Sequence, residues 1–197
     1  FGCGHINSTY AVYFSRETKA PIRYILQAVN TSIFTDPYGL MENIEGVTGH
    51  LRKKIIENGG NPLRETLTVV LTKDGTSLYK DSDGTYWRAY LFIEDATCYQ
   101  TVERPILFTN AAKAFGHFQK LLSDYPAETL HETIPNFHNT RSRYAAFEKA
   151  VKEDLACRAS LVSEEIQFFM DRREDGNTVV DAIANGTLPL RVTHNDT

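Results

Sequence analysis

The stretch DSDGTYWRAYLFIED, residues 81–95, joins a tight-turn signal to a long strand. Asp83-Gly84 is a dipeptide typical of hairpin turns. The residues after it are rich in the aromatic and apolar side chains that favour strands. The preceding stretch TLTVVLTKDGTSLYKD, residues 66–81, carries a second such dipeptide, Asp74-Gly75. We therefore expect residues 66–81 to form a β-hairpin and the residues after Gly84 to form one further strand.

Two earlier strands are predicted at STYAVYF (8–14) and IRYILQAVN (22–30), which are β-branched and aromatic and are separated by a charged turn. The period then changes to steps of three and four residues, which predicts one helical face made of Leu40, Ile44, Val47, Leu51 and Ile55. Gly59, Gly60 and Pro62 end this helix. Residues 1–95 are thus predicted to form about five strands, with one helix inserted after the third.

Helical periodicity dominates beyond residues 96–104. The predicted helices are ILFTNAAKAFGHFQKLL after Pro105, the run Ser142–Arg173, and TVVDAIAN; LRVT (190–193) is predicted as a strand leading into His194. The fold class is therefore α+β. A small antiparallel sheet with one helix, a connector and a helical part is the layout of protein-kinase-like phosphotransferases. On that layout, residues 1–95 are a nucleotide-binding N-lobe, 96–104 a hinge, and 105–197 part of a helical C-lobe.

Composition excludes several classes of function. The net charge of −4 and the pI near 5.9 argue against nucleic acid or an anionic membrane as a partner, because both attract a basic surface. No run approaches the roughly 18 apolar residues of a membrane span. The three cysteines are far apart and lack CxxC spacing, which argues against a disulfide framework or a structural zinc site. These features predict a cytoplasmic protein with reduced thiols.

The glycine pair at the start of FGCGHINSTY suits a phosphate-binding loop. Gly2 and Gly4 let backbone amides approach an anion, and the small polar residues after them can donate hydrogen bonds. A plain turn is the alternative, because glycine pairs commonly only punctuate loops. On the strand IRYILQAVN, where a kinase carries a lysine for the α- and β-phosphates, the inward candidate is Gln27, which is neutral.

The end of the long strand and the end of the chain have places in the same layout. Phe92, Ile93 and Glu94 run into the hinge, where they would offer backbone groups and an apolar wall to adenine; the alternative is that they are core strand residues. Asp196 follows LRVT with His194 two residues earlier. This is the place of the aspartate that accepts the hydroxyl proton of the acceptor.

Across these stretches the sequence resembles the N-acetylhexosamine 1-kinases, bacterial members of the aminoglycoside phosphotransferase superfamily. The similar stretches occur in the family's order: GHINSTY, LQAVNTSIF, LMENIEGVTGHL, YLFIEDA, FGHFQKLL, TIPNFHNTRSRY and RVTHNDT. The resemblance implies ATP- and Mg²⁺-dependent phosphorylation of the anomeric hydroxyl of N-acetylglucosamine or N-acetylgalactosamine. The product would be a sugar 1-phosphate used in amino-sugar salvage.

The resemblance also implies roles for individual residues. Asp196 matches the catalytic base, and Gln27 matches a position where the wider superfamily usually has a basic residue. The implied nucleotide-binding residues are Gly2, Gly4, His5, Asn7, Thr9, Gln27, Phe92, Ile93 and Glu94. The implied sugar-binding residues are His138, Asn139, Arg141, Arg143 and His194. For TIPNFHNTRSRY the residues themselves leave two interpretations open, a set of hydrogen-bond donors for sugar hydroxyls or a capped, ion-paired entrance to a helix.

The family's chain continues past the position of Thr197, so the resemblance implies a fragment that stops in its catalytic loop. Its magnesium ligands are expected downstream, with none inside residues 1–197, and the fragment is expected to be inactive by itself. Two alternatives stay open. One is another small-molecule kinase of the superfamily, acting on choline, homoserine or an aminoglycoside. The other is a nucleotide-binding pseudokinase module, which the neutral Gln27 favours.

Overall fold

The structure, a computed structural model, describes residues 6–17, 19–99 and 101–194. The strands in this part of the chain are β1 (Ser8–Arg16), β2 (Lys19–Val29), β3 (Val69–Val70), β4 (Tyr79–Lys80) and β5 (Tyr86–Leu91). The α-helices are α1 (Pro37–Glu57), α2 (Pro62–Glu65), α3 (Pro105–Leu121), α4 (Thr140–Glu153), α5 (Ser163–Asp171) and α6 (Thr178–Ala184). Single 3₁₀ turns lie at Ala127–Thr129, Ala159–Val162 and Asp175–Asn177.

The five strands form one antiparallel sheet in the order β1-β2-β5-β3, with β4 also paired to β5. In this register Gln27 of β2 lies opposite Thr9 of β1 and Arg88 of β5. The prediction of an antiparallel five-stranded sheet together with several helices is therefore confirmed. The predicted place of the helix after the third strand is wrong, because α1 follows β2 and precedes β3. The strand predicted after Gly84 is β5, which pairs with β2, β3 and β4.

One predicted hairpin is wrong. The turn at Asp74-Gly75 forms, with Gly75 at a φ of 79° and the Thr72 N–H donating to the Thr76 carbonyl at 2.7 Å. However, β3 and β4 both pair with β5 and not with each other. Burial of Leu78 under the sheet places the chain after the turn along β5. The turn predicted at Asp83-Gly84 is confirmed, and it joins β4 to β5 as a hairpin.

Helix α1 carries the apolar face that its periodicity predicts, and this face contributes to two buried clusters. The α1–sheet cluster is built on Val29, Met41 and Leu78. The α1–α3 cluster is built on Leu51, Ile55, Leu121, Leu122 and Val192. Asp36 begins the helix by accepting the Gly39 N–H at 2.9 Å, and Pro37 follows it at the first helical position.

The continuous helix predicted over Ser142–Arg173 is wrong, because its middle part is not α-helical. Helix α4 ends at Asp154, which has a left-handed φ of 36°. Its Oδ1 accepts the N–H groups of Arg158 and Ala159 at 2.8 and 3.1 Å. This local capping competes with helical hydrogen bonds, so a turn separates α4 from the next helical segment.

The predicted strand LRVT is also wrong, because residues 190–193 form neither strand nor helix. Val192 is instead buried in the α1–α3 cluster. Packing of the Val192 side chain in this cluster therefore fixes the position of the segment.

The chain forms two compact units. The first comprises the described residues up to Thr133 together with 191–194, and the second is Ile134–Leu190. Residues 96–99 and 101–104 form neither helix nor strand, and the lobe assignment of 1–95 and 105–197 stays a prediction. Among the described helices, none has the length and hydrophobicity of a transmembrane segment.

Candidate functional site

A hydrogen-bonded row of polar side chains crosses the three long strands of the sheet. We call it the polar row; it consists of Thr9, Gln27, Arg88 and Tyr90. Gln27 Nε2 donates to Thr9 Oγ1 at 2.9 Å. Gln27 Oε1 accepts from Arg88 Nε at 3.1 Å and from the Tyr90 hydroxyl. Both Nε2 and Oε1 of Gln27 thus form hydrogen bonds within the sheet.

Strand register places the polar row on the face of the sheet that packs against α1. Thr9, Gln27 and Arg88 are direct cross-strand partners, and such partners share a face. Val29 lies two residues after Gln27 on the same strand and therefore on the same face. Since Val29 and Met41 belong to one buried cluster, the polar row lies on the α1 side.

Arg88 is half-buried, and the hydrogen-bonding capacity of its guanidinium is only partly satisfied. Its Nε is bonded to Gln27, and its guanidinium carbon lies 5.8 Å from the centroid of the Tyr90 ring. Its Nη1 is buried and has no hydrogen-bond partner among the described residues. A buried charged donor without a partner is costly, so this nitrogen suits an anionic ligand.

The predicted phosphate loop is described only at its end. Gly2, Gly4 and His5 lie outside the described residues. Asn7 Oδ1 accepts the Asn30 N–H at 2.9 Å, which joins the start of β1 to the end of β2. The loop therefore leads directly into the strand that carries Thr9.

The predicted hinge residues contact two arginines. The guanidinium of Arg23 lies 3.6 Å from the centroid of the Phe92 ring and forms an ion pair with Glu94. The hydrogen bonds that Arg23 donates to the Glu94 carboxylate raise the pKa of Arg23 above its ordinary value. Arg64 Nη1 donates to the Glu94 carbonyl at 2.6 Å. Ile93 is half-buried. An adenine amino group would have to share or displace Arg64 to reach that carbonyl.

The predicted sugar-binding stretch lies in the second unit, where it builds the start of α4. Asn139 caps the helix by accepting the Ser142 N–H at 3.1 Å. Arg141 pairs with Asp181 at 2.6 Å, and Arg143 Nε donates to the Phe137 carbonyl at 2.6 Å. Of the two interpretations of this stretch, the capped, ion-paired helix start is present.

His138 and His194 are exposed, and each contacts one aromatic ring. The His138 ring lies 4.7 Å from the Phe137 ring in an edge-on arrangement. The His194 ring lies 5.4 Å from Phe115 of α3 in the first unit. The predicted base Asp196 lies outside the described residues. A sugar-binding role for His138 and His194 stays a prediction.

Sequence reasoning found Thr9 and Gln27 but missed Arg88 and Tyr90. One signal for Arg88 was available, since it is the single charged residue in the strand YWRAYL. A charge inside a strand of otherwise aromatic and apolar residues marks a position with a partner or a function. Its pairing with Gln27 depends on strand register, which spacing along the chain does not provide.

The opposite face of the sheet has a different character. A cleft of about 380 Å³ there is lined mainly by apolar side chains, among them Leu26, Val70, Trp87 and Ala89. Leu26, Val70 and Ala89 are cross-strand partners that alternate with the polar row. Arg88 is also among the residues that line this cleft, so the cleft and the polar row meet at that residue.

The described residues contain no group of three or more His, Cys, Asp or Glu side chains able to hold a metal ion together. No magnesium ligand is therefore assigned to this part of the chain. Compared with the models of known protein families, the sequence matches none.

Proposed function

We propose that the chain binds ATP on the α1 side of its sheet and belongs to an ATP-dependent small-molecule kinase. The observation that carries the proposal is the polar row. It places hydrogen-bonding groups and one cationic side chain beside the strand that follows the Gly2–Asn7 loop. Phosphoryl transfer relies on positioning and on stabilisation of phosphate charge, and these groups suit both tasks.

The sequence resemblance narrows the acceptor to an N-acetylhexosamine. In this proposal the anomeric hydroxyl is held near Asp196, whose carboxylate orients it and accepts its proton as the oxygen attacks the γ-phosphorus of ATP. The Gly2–Asn7 loop would hold the phosphates through backbone amides. Bound Mg²⁺ would supply further neutralisation of phosphate charge. The bond between the γ-phosphorus and the bridging oxygen of ATP breaks, and the products are a sugar 1-phosphate and ADP.

A second candidate is a nucleotide-binding module without transfer activity. The neutral side chain of Gln27 favours it, because a kinase strand carries a lysine at the corresponding place. The polar row serves nucleotide binding in either case. The two candidates therefore differ only in whether phosphate reaches an acceptor.

Phosphorus NMR separates the candidates. The protein, expressed from its complete reading frame, is mixed with ATP, Mg²⁺ and N-acetylglucosamine or N-acetylgalactosamine, with choline, homoserine and kanamycin in parallel. We expect a new acid-labile anomeric phosphate with an amino sugar and its loss in Asp196→Asn. Glu128→Gln, an exposed carboxylate at the start of a 3₁₀ turn, is the charge-matched control.

Each other outcome has a definite meaning. Phosphate on choline, homoserine or kanamycin replaces the sugar acceptor with another member of the superfamily. Nucleotide binding without transfer to any acceptor supports the binding module. Transfer that survives in Asp196→Asn contradicts the assignment of the base.

A further inference from the structure

Arg88 is a cation that the sheet orients but does not neutralise. No ion pair to Arg88 exists among the described residues, and its buried Nη1 lacks a hydrogen-bond partner there. Its Nε donates a hydrogen bond to Gln27 Oε1. Unpaired buried charge is normally removed by a partner or a ligand. An anion bound against this guanidinium would complete the site.

The orientation of the guanidinium is set by its neighbours in the polar row. Gln27 Oε1 accepts from both Arg88 Nε and the Tyr90 hydroxyl, and Gln27 Nε2 is held by Thr9. The amide of Gln27 is thereby locked at both ends. The Gln27 amide therefore fixes the Nε edge of the Arg88 guanidinium. The two terminal nitrogens, Nη1 and Nη2, are the remaining donors.

The chemistry of these donors favours phosphate. A guanidinium presents paired N–H groups in a planar fork that matches two phosphate oxygens, and hydrogen bonds between charged groups are the strong ones. The polar row also includes Thr9, the second residue of β1.

We propose that Arg88 binds the phosphate groups of the nucleotide, with Gln27 as the residue that positions it. This inference rests on the proposed function, since it assigns a role within the same nucleotide site. The charge that Gln27 lacks on β2 is supplied from β5. Gln27 then positions a cation on the neighbouring strand.

Isothermal titration with ATP, ADP, adenosine and inorganic tripolyphosphate tests the proposal on the wild type and on Arg88→Gln. We expect ATP and tripolyphosphate to bind the variant roughly 10- to 100-fold more weakly, as for the loss of a charged hydrogen bond. Adenosine affinity should be unchanged. Arg173→Gln, which breaks an exposed ion pair with Glu148, is the matched control and should bind every ligand as the wild type does.

Gln27→Glu provides a second variant that does not remove the arginine. It places a carboxylate next to the Arg88 Nε, so the new ion pair should raise the melting temperature of the ligand-free protein. The same carboxylate should weaken ATP binding by competing with phosphate. A rise in melting temperature together with weaker ATP binding supports the role of Arg88, whereas unchanged ATP affinity contradicts it.

The ligand series separates this inference from the proposed function. If the wild type binds ATP and Arg88→Gln binds it equally well, the role of Arg88 is wrong and the nucleotide site stands. If tripolyphosphate binding depends on Arg88 but no ATP binds, the phosphate role stands and the nucleotide function is wrong. If the wild type binds neither, both are wrong.

Discussion

Gln27 shows how the chemistry of a position depends on its neighbours. Judged along the chain, it is a neutral residue at a place where a cation is expected. In the sheet it is the acceptor for Arg88 and Tyr90 and a donor to Thr9. The cationic side chain that contacts Gln27 is therefore on another strand, 61 residues away in sequence.

Replacing Gln27 with lysine is expected to destabilise the protein and not to improve nucleotide binding. Lysine has no acceptor atom, so Arg88 Nε would lose its partner and face a second cation. Loss of a partner for a buried donor costs about 1–3 kcal/mol. Urea unfolding followed by fluorescence of Trp87, the single tryptophan in the sequence, measures the change.

Gln27→Met is the control, because it removes the acceptor without adding charge. Gln27→Lys should be the less stable of the two. Tighter ATP binding by Gln27→Lys would show that β2 is the proper place for the cation and would contradict the role of Arg88.

At the scale of one element, two of the three glycines of α1, Gly46 and Gly49, lie in different surroundings. A Cβ on Gly46 would lie 2.4 Å from the Tyr125 hydroxyl oxygen, whereas a Cβ on Gly49 would meet no atom within 4 Å. Both positions are inside the helix. Backbone entropy favours alanine over glycine at each position, and only Gly46 is in close contact with a neighbour.

Gly49→Ala is expected to stabilise the protein by about 1 kcal/mol, the usual difference in helix propensity. Gly46→Ala should give little of this gain or a net loss, because Tyr125 must shift within the α1–α3 cluster. Thermal unfolding of both variants provides the comparison. Equal stabilisation by the two substitutions would show that the Tyr125 side chain moves freely.

At the scale of the whole first unit, Asp124 links α1 to the turn after α3. Its carboxylate contacts the Lys54 ammonium at 2.5 Å and the His50 ring at 3.0 Å. The hydrogen bond from Lys54, with a smaller contribution from His50, holds the pKa of Asp124 below its ordinary value. Asp124 also raises the pKa of Lys54.

A lowered pKa in the folded state means that the Asp124 carboxylate stabilises the fold above its unfolded pKa. The stabilisation is lost as the pH falls through the folded pKa. We therefore expect the melting temperature to fall from about pH 4 downward and to fall less steeply in Asp124→Asn. Glu128→Gln is the charge-matched control. An identical acid profile for the wild type and Asp124→Asn would show that the network contributes nothing.

Two neighbouring isoleucines test the α1–α3 cluster. Ile55 is 2% exposed and Ile56 is 58% exposed. Ile55→Ala should cost about 2–5 kcal/mol, because it leaves a cavity in the cluster. Ile56→Ala should change stability by less than about 0.5 kcal/mol, as is usual for surface substitutions. Urea unfolding measures both, and similar costs would contradict the burial of this helix face.

Much of the secondary structure was predictable because its signals are local. The apolar steps of α1, the turn at Asp83-Gly84 and the long strand β5 follow from residues close to one another in the chain. The break at Asp154 was missed, because apolar spacing continues across it while a single side chain captures the next backbone N–H groups. The hairpin predicted at Asp74-Gly75 was wrong, because β3 and β4 on either side of that turn both pair with β5.

In the candidate site too, the features with local sequence signals were predictable and those that depend on tertiary contacts were not. Sequence by itself determined the segregation of strands and helices and the apolar face of α1, and it gave Thr9 and Gln27 as candidate site residues, because periodicity and residue chemistry are properties of the chain. Only the tertiary structure decided that β3 and β4 both pair with β5 and that Arg88 completes the polar row. These outcomes depend on the register between distant strands and on which side chains become buried together, and neither is encoded in local spacing.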